Sequence, residues 1–138
     1  MTPDQSAWSA ETFDTLVANV GRRRLARERA LLDQLRASVT DLNPELVRFH
    51  GPADPNARVS ALSLSIPGLD PAEFAGSLEH AFGIITRSGF HCAPGAHAAI
   101  HTLHEGGTVR VSPGPNTTVA EIETPAQAIL QLARALKR

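Results

Sequence analysis

The segment 87–97 surrounds the only cysteine of the chain, Cys92, with residues that can change the reactivity of a thiol. His91 lies directly before the cysteine, His97 lies five residues after it, and Arg87 lies five residues before it. A cysteine becomes nucleophilic when nearby positive charge stabilises its thiolate, and Arg87 and His91 could supply that charge. The glycine and proline residues of the segment predict a shaped loop. Residue types alone slightly favour a different outcome, a buried and inert cysteine.

Two alternatives use the same histidines in other ways. Cys92 could form a hydrolase dyad with His91 or His97, although the sequence identifies no group that would stabilise an oxyanion. A zinc site could instead be formed by Cys92, His97, His101 and His104. These four lie within thirteen positions, and His97 and His101 would share one face of a helix. Their spacing matches no common zinc module, so zinc binding stays an alternative.

A second candidate site residue, Arg110, lies in a strand predicted for 108–112, after a glycine turn at 106–107. Alternation along this strand places Arg110 on the face opposite Val109 and Val111. The planar guanidinium of an arginine can bind a carboxylate through two parallel hydrogen bonds. Taken alone, the pattern is only a weak indication of a binding site, because a hairpin strand with a salt-bridging arginine has the same pattern.

Composition and charge limit the classes of protein to which the chain can belong. Its 138 residues are 42% hydrophobic, which is enough for one domain with its own core. The net charge of −1 and the pI of about 6.6 exclude a bulk field that would attract nucleic acid or an anionic membrane. Because there is one cysteine, no signal-like segment and no long apolar run, we expect a soluble protein in the reducing cytoplasm.

Apolar periodicity predicts an α+β fold, a two-layer domain with a small, mainly antiparallel sheet covered by helices. The predicted elements are a first helix that ends before Pro44 and has Gly21 as a possible break, strands at 46–49 and 58–66, a helix over 71–82, a brief strand at 84–85, a short helix over 98–103, the strand 108–112 and a final helix. Asp70 is expected to cap the second helix, with Pro71 at its first position.

The start of the final helix has two possible caps. Thr118 could cap it with Glu121 as the capping-box partner, but Pro125 would then lie inside the helix, where proline costs about 3 kcal/mol. Thr124 avoids this cost, because Pro125 then occupies the first helical position. We therefore predict a separate turn over 118–123 and a helix that starts after Thr124.

Two motifs agree in order and separation with one known family. They are Arg87-Ser88-Gly89-Phe90-His91-Cys92-Ala93-Pro94, with His97 after it, and Gly107-Thr108-Val109-Arg110-Val111-Ser112-Pro113-Gly114-Pro115. Together they resemble the C-terminal small domain of class V aminotransferase-like, pyridoxal-phosphate-dependent cysteine desulfurases, in the group with an Arg-x-Gly-x-His-Cys-Ala loop. The similarity divides the chain into an N-terminal helical extension, 1–20, and a desulfurase C-terminal-like domain, 21–138.

The resemblance implies roles for individual residues. Cys92 falls at the position of the family's catalytic cysteine, which takes the sulfur of a cysteine substrate as a persulfide and leaves alanine. Arg110 falls at the position of the arginine that holds the substrate carboxylate. Arg87 and His91 belong to the loop motif and would have supporting roles. His97 matches a histidine that is frequent in one subgroup, and the resemblance gives it no role.

The sequence also departs from the family. The family's large domain, which supplies the Schiff-base lysine, the histidine stacked on the pyridoxal ring and the aspartate on the pyridine nitrogen, has no counterpart here. The only lysine, Lys137, follows no glycine-rich phosphate loop and cannot replace the Schiff-base lysine. We therefore expect no cofactor bound by this chain alone, and pyridoxal phosphate only in the complete family enzyme. Residues 116–118, Gly95 and His101 also differ from the family pattern.

Three functions follow, each with its own partner. The first is a desulfurase small domain that completes an active site with a pyridoxal-phosphate-binding large domain in trans or in a homodimer. The second is a stand-alone sulfur-carrier or protein-binding module that passes sulfur to an acceptor protein, and the third is a small metal-binding protein. An apolar face left exposed on the first helix would favour a protein partner, because soluble monomers rarely leave large apolar patches bare.

Overall fold

A four-stranded antiparallel sheet lies against three long helices in the computed structural model, which describes residues 10–136. The predicted features of residues 1–9, and Lys137, lie outside this range. In chain order the elements are α1 (Ala10–Leu42), β1 (Arg48–His50), a single 3-10 turn (Pro55–Ala57), β2 (Leu62–Ser65), α2 (Pro71–Phe82), β3 (Arg87–Gly89), α3 (Pro94–Ala99), β4 (Thr108–Val111) and α4 (Ala120–Leu136). The predicted α+β architecture is confirmed.

The sheet has the strand order β1-β2-β4-β3, so β3 and β1 are its edges. One face is apolar, and its Leu62, Leu64 and Val109 are buried in the core with side chains of the helices. The alternate residues form the opposite face, which we call the polar face; it comprises Arg48, His50, Ser63, Ser65, Arg87, Thr108 and Arg110. Arg110 thus lies on the opposite face of the sheet from Val109 and Val111, as the alternation predicts.

Helix α1 consists of two halves with different surroundings. Its C-terminal half buries Leu31, Leu32, Leu35 and Val39 in the core. Its N-terminal half carries an apolar stripe at helical spacing, formed by Phe13, Leu16, Val17 and Val20, whose side chains are 47–57% exposed. The helix continues through Gly21 without a break. Because the stripe is not part of the core cluster of the described residues, α1 presents an exposed apolar surface.

The second helix begins and ends as its sequence predicts. The Asp70 carboxylate accepts hydrogen bonds from the backbone N–H groups of Ala72 (2.9 Å) and Glu73 (3.0 Å), and Pro71 occupies the first helical position. Gly83 ends the helix in the left-handed conformation. These signals are local, which is why the sequence defines α2 correctly.

The predicted strand at 84–85 is wrong, because this segment still completes the end of α2. The Ile84 N–H bonds the Leu78 carbonyl oxygen at 3.3 Å, and the Ile85 side chain is 79% exposed. Pairing with β4 starts only at Arg87. The strand predicted for 58–66 is likewise shorter, because the Arg29 side chain binds the carbonyl oxygens of Asn56 and Arg58. Those carbonyl groups therefore contact α1 instead of a neighbouring strand.

The predicted start of the final helix after Thr124 is wrong. Thr118 and Glu121 form the capping box: the Glu121 N–H donates to Thr118 Oγ1 (3.2 Å), and the Thr118 N–H donates to a Glu121 carboxylate oxygen (2.7 Å). Pro125 lies inside α4. The earlier start adds a helical turn that buries Ile122 in line with Ala126 and Ile129, and this burial offsets the cost of the internal proline.

The short helix also differs from its prediction at 98–103. It runs over Pro94–Ala99, because Pro94 has a backbone angle that suits a first helical position, and it stops before His101, whose φ is +59°. Between residues 10 and 136 no helix is both long enough and apolar enough to cross a membrane.

The two candidate caps of α4 give a testable prediction. Thr118→Ala removes the cap and should lower the free energy of unfolding by about 1 kcal/mol, the usual cost of losing a threonine N-cap. Thr124→Ala is the matched control and should change stability little, because Thr124 lies exposed inside the helix. Urea denaturation of both variants measures the difference. A larger loss for Thr124→Ala would show that the helix starts at the later cap.

Candidate functional site

Cys92 lies on a tight turn that follows β3. The Ala93 N–H bonds the Phe90 carbonyl oxygen at 2.8 Å, and both central residues have positive φ, +50° for His91 and +60° for Cys92. Such angles are typical of type I′ turns, which favour glycine and asparagine. A non-glycine residue held in this region costs about 1–3 kcal/mol. The Cys92 side chain is exposed, so the alternative of a buried cysteine is wrong.

The turn is fixed to the neighbouring strand at two points. The His91 ring donates from Nε2 to the Thr108 carbonyl oxygen of β4 at 3.2 Å. Beside it, Gly107 approaches Gly89 so closely that a Cβ at Gly107 would overlap the Gly89 carbonyl group. Only glycine allows this approach, which brings the end of β3 against the start of β4. The turn therefore lies next to the strand that carries Arg110.

The buried side chain of His97 packs against the rings of the cysteine turn. Its side chain is 4% exposed, and its Nδ1 lies 2.7 Å from the hydroxyl of Thr102. Its ring contacts the Phe90 ring edge-on, with centroids 5.6 Å apart, and the His91 ring at 5.9 Å. Neither histidine hydrogen-bonds the thiol of Cys92 within residues 10–136, so the structure does not form a hydrolase dyad. His97 thus contacts both rings of the turn and is held by Thr102.

The pKa of His91 is lowered, chiefly because burial removes water from its ring and also because the positive charge of Arg110 lies nearby. The hydrogen bond to the Thr108 carbonyl group opposes these effects without cancelling them. His91 is therefore neutral at pH 7 and carries a proton on Nε2, which leaves Nδ1 as a proton acceptor. The fixed positive charges near the turn come from arginines.

Arg110 and Arg87 lie directly opposite each other on β4 and β3. Both side chains belong to the polar face, and neither forms a hydrogen bond or ion pair with any residue that the structure describes. Ser63 of β2 is the next residue in the same row, on the other side of Arg110. The row thus presents two unpaired guanidinium groups beside the cysteine turn.

The structure does not bring the four proposed zinc ligands together. No group of three His, Cys, Asp or Glu side chains that could hold a metal occurs in the described part of the chain. His97 is buried and bonded to Thr102, whereas His101 lies beyond the end of α3 with a left-handed backbone. The two histidines therefore do not share a helical face, which was the physical basis of the zinc prediction.

Thr102 and Thr108 are site residues that the sequence did not reveal. Both side chains have no exposed surface. Thr102 anchors His97, and its carbonyl oxygen accepts from the Gly107 N–H at 3.0 Å, which connects α3 to the start of β4. Thr108 receives the His91 ring. Threonine is a common residue beside a glycine turn, so the sequence alone does not mark Thr102 and Thr108 as site residues. Their contacts become visible only once the pairing of the strands is known.

The residues of the described range do not fit pyridoxal phosphate by themselves. The cofactor needs an amine to hold its aldehyde and an acidic group for its ring nitrogen. Residues 10–136 contain no lysine, and Glu105, whose carboxylate contacts the polar face, already pairs with Arg48 at 3.5 Å. The unpaired arginines could bind an anion but could not supply either group.

The lowered pKa values of His50 and His91 predict how stability depends on pH. Burial lowers the pKa values of His50 and His91 below the ordinary 6.5. As pH falls below 6.5 the unfolded chain binds protons first, so stability is complete above about pH 6.5 and decreases as pH falls toward the lowered values. We expect a lower free energy of unfolding at about pH 5.5 than at about pH 7.5 in urea denaturation.

The double variant His50→Gln/His91→Asn should show a smaller difference between the two pH values, and asparagine tolerates the positive φ at position 91. His101→Gln is the control, because His101 is an exposed residue with the same kind of backbone angle. A pH dependence that persists unchanged in the double variant would contradict the assignment.

Comparisons with known proteins agree with the resemblance noted in the sequence. The family model "Aminotransferase class-V" matches residues 8–124. A probable cysteine desulfurase of Methanothermobacter thermautotrophicus is 32% identical over 117 residues, which are 83% of this chain and 28% of that protein. This chain thus spans less than a third of the length of that curated relative.

Solved structures of cysteine desulfurases share the fold. The apo enzyme of Thermococcus onnurineus NA1 superposes with a TM-score of 0.72 and 27% identity, over 88% of this chain and 29% of that one. The Escherichia coli cysteine desulfurase CsdA, at a TM-score of 0.62 and 21% identity over 82% of this chain and 26% of its own, supports the fold alone. On the match of the family model to most of its length, the chain belongs to the class V aminotransferase family.

Proposed function

We propose that this chain acts as the small domain of a cysteine desulfurase, with Cys92 as the residue that accepts sulfur and Arg110 as the residue that binds the substrate carboxylate. A pyridoxal-phosphate-binding large domain completes the active site in trans. The observation that carries the proposal is the position of an exposed cysteine, on a turn fixed to β4, beside an unpaired arginine of that strand.

Support for Cys92 comes from the construction of its turn. The left-handed backbone and the contacts of His91 and Phe90 hold the thiol at the surface, where a donor can reach it. In the proposed step the Cys92 thiolate attacks the sulfur of the substrate cysteine. An S–S bond forms, the carbon–sulfur bond of the donor breaks, and the donor carbon keeps the electron pair and is protonated to alanine.

Support for Arg110 comes from its surroundings. Its guanidinium extends from a central strand of the sheet, which restricts its position more than a loop would. No acidic side chain among residues 10–136 neutralises it. An arginine used only for stability would be expected to pair with a carboxylate, whereas one kept free can bind a substrate carboxylate in a bidentate manner.

The apolar stripe on α1 supports a protein partner. Phe13, Leu16, Val17 and Val20 are about half exposed, and they lie within the residues matched by the family model. The relatives devote more than two thirds of their length to regions that have no counterpart in the match. In this proposal the extension 1–20 contributes the stripe as the docking surface for the large domain, and 21–138 carries the desulfurase-like part.

A sulfur-carrier function without a large domain remains the second candidate, because the exposed thiol suits it as well. In either case a reducing, cytoplasmic location would keep Cys92 as a free thiol. The desulfurase function requires the apolar stripe and Arg110, whereas the sulfur-carrier function requires neither.

We expect Cys92→Ala to abolish persulfide labelling of the chain after incubation with an active cysteine desulfurase and cysteine. Labelling is measured by alkylation and intact-mass spectrometry, as the mass of one added sulfur. His101→Gln is the control and should be labelled like the wild type, since His101 lies outside the turn. Labelling that survives in Cys92→Ala, or that never appears in the wild type, would show that Cys92 does not accept sulfur.

The isolated chain should show no pyridoxal absorbance and release no sulfide from cysteine. Mixed with the separately expressed large domain of the Methanothermobacter relative, it should form a complex and release sulfide. Val17→Asp should abolish complex formation, because it places a charge in the centre of the stripe. Val59→Asp is the matched control, since Val59 is 70% exposed and lies outside the stripe. Turnover by the 138-residue chain alone would contradict the requirement for a partner.

A further inference from the structure

We propose that His97 and Thr102 form a positioning pair that holds the Cys92 thiol in the place from which it accepts sulfur. This inference rests on the proposed function, in which Cys92 accepts sulfur. It adds a role for His97, a residue to which the resemblance gives none. The pair forms no hydrogen bond with the thiol within residues 10–136 and acts through the two residues that precede the cysteine.

The backbone of the cysteine turn needs a restraint from outside the turn. His91 and Cys92 are adjacent non-glycine residues with left-handed angles, at φ +50° and +60°. Such a conformation costs free energy and persists only where the surrounding structure fixes it. The hydrogen bond from the Ala93 N–H to the Phe90 carbonyl oxygen closes the turn, but the same bond also forms in turns with ordinary backbone angles. The left-handed form therefore depends on contacts of the side chains.

The His97 ring provides such contacts to both residues before Cys92. It meets the Phe90 ring edge-on, with centroids 5.6 Å apart, and the His91 ring at 5.9 Å. The His91 ring also bonds the Thr108 carbonyl oxygen at 3.2 Å, so β4 and His97 both restrict it. A shift of His97 would release the two rings together, and with them the backbone angles of the turn.

Thr102 fixes His97 through its side chain and its backbone. Nδ1 of His97 lies 2.7 Å from the Thr102 hydroxyl oxygen, and the Thr102 N–H donates to the His97 carbonyl oxygen at 2.9 Å. Thr102 is itself bonded to the start of β4, because its carbonyl oxygen accepts from the Gly107 N–H at 3.0 Å. Both members of the pair are buried, so water competes little for these bonds. The position of the thiol thus depends on a buried hydroxyl ten residues further along the chain.

A second pair of a histidine and a hydroxyl group lies on the same side of the sheet without this connection. Nε2 of His50 lies 2.8 Å from the hydroxyl oxygen of Ser65, which is also buried. His50 belongs to β1, the edge strand opposite β3, and within residues 10–136 it contacts neither ring of the turn. Loss of the Ser65 hydroxyl therefore measures the general effect of removing such a bond.

The test removes the Thr102 hydroxyl from the full-length chain. Thr102→Val keeps the shape of the side chain without the bond to His97, and Thr102→Ser keeps the hydroxyl. Sulfur transfer is measured as the rate at which an active cysteine desulfurase with cysteine labels Cys92 as a persulfide. We expect this rate to fall about tenfold in Thr102→Val, the population change that the loss of one buried hydrogen bond can produce, and to recover in Thr102→Ser. His97→Phe keeps an aromatic ring but lacks Nδ1, and it should behave like Thr102→Val.

Two further readouts separate positioning from a general loss of stability. The NMR chemical shifts of the Cα and Cβ carbons of His91 and Cys92 report their backbone angles, and the left-handed values of the wild type should be lost in Thr102→Val. Alkylation by iodoacetamide should change by less than about twofold, because a small reagent reaches an exposed thiol in either conformation. Ser65→Ala is the matched control and should lower the thermal midpoint without changing the labelling rate or these shifts.

The outcomes distinguish this inference from the proposed function. If Thr102→Val and His97→Phe are labelled as fast as the wild type, or if both keep the left-handed shifts, the positioning pair is overturned and the role of Cys92 stands. An equal loss of labelling and alkylation also overturns it, because the pair would then change the reactivity of the thiol and not its position. If the wild type is not labelled at all, the proposed function fails, and this inference fails with it.

Discussion

The close approach of Gly107 to Gly89 is the constraint on which the site depends. It allows β3 and β4 to pair right up to the point where β3 turns into the cysteine segment. A side chain at position 107 would separate the strands there and would remove the His91 ring from the Thr108 carbonyl group. The register that sets Arg87 opposite Arg110 and the turn that holds Cys92 thus have a common origin in two residues without side chains.

The titratable groups on and around the polar face are of two kinds, those with bonding partners and those without. His50 and His97 are partly buried or buried and bond Ser65 and Thr102, and Glu105 pairs with Arg48. Arg87 and Arg110 stay without acidic partners among the described residues. The bonded groups give rigidity, and the unpaired arginines keep charge available for a ligand. This division agrees with a site of which the chain supplies one side.

The sequence predicted features that depend on local signals and failed where distant contacts decide. The cap at Asp70 and the alternation around Arg110 were correct because neighbouring residues determine them. The start of α4 was wrong because the burial of Ile122 outweighs the preference of Pro125 for a first helical position. The left-handed angles of His91 and Cys92 could not be expected from residue types that rarely adopt them. The Arg87–Arg110 pairing required the strand register, which a three-residue strand does not reveal in advance.

The unbroken course of α1 has a mechanical consequence. Its 33 residues correspond to a rod of roughly 50 Å, and the stripe around Val17 lies roughly 27 Å along the axis from Leu35 in the core. A continuous helix transmits displacement and rotation with little loss, whereas a hinge at Gly21 would absorb them. A partner bound to the N-terminal half of α1 would therefore fix the orientation of the sheet and of the Cys92 thiol relative to itself. The length of the helix would set the distance between that partner and the sheet.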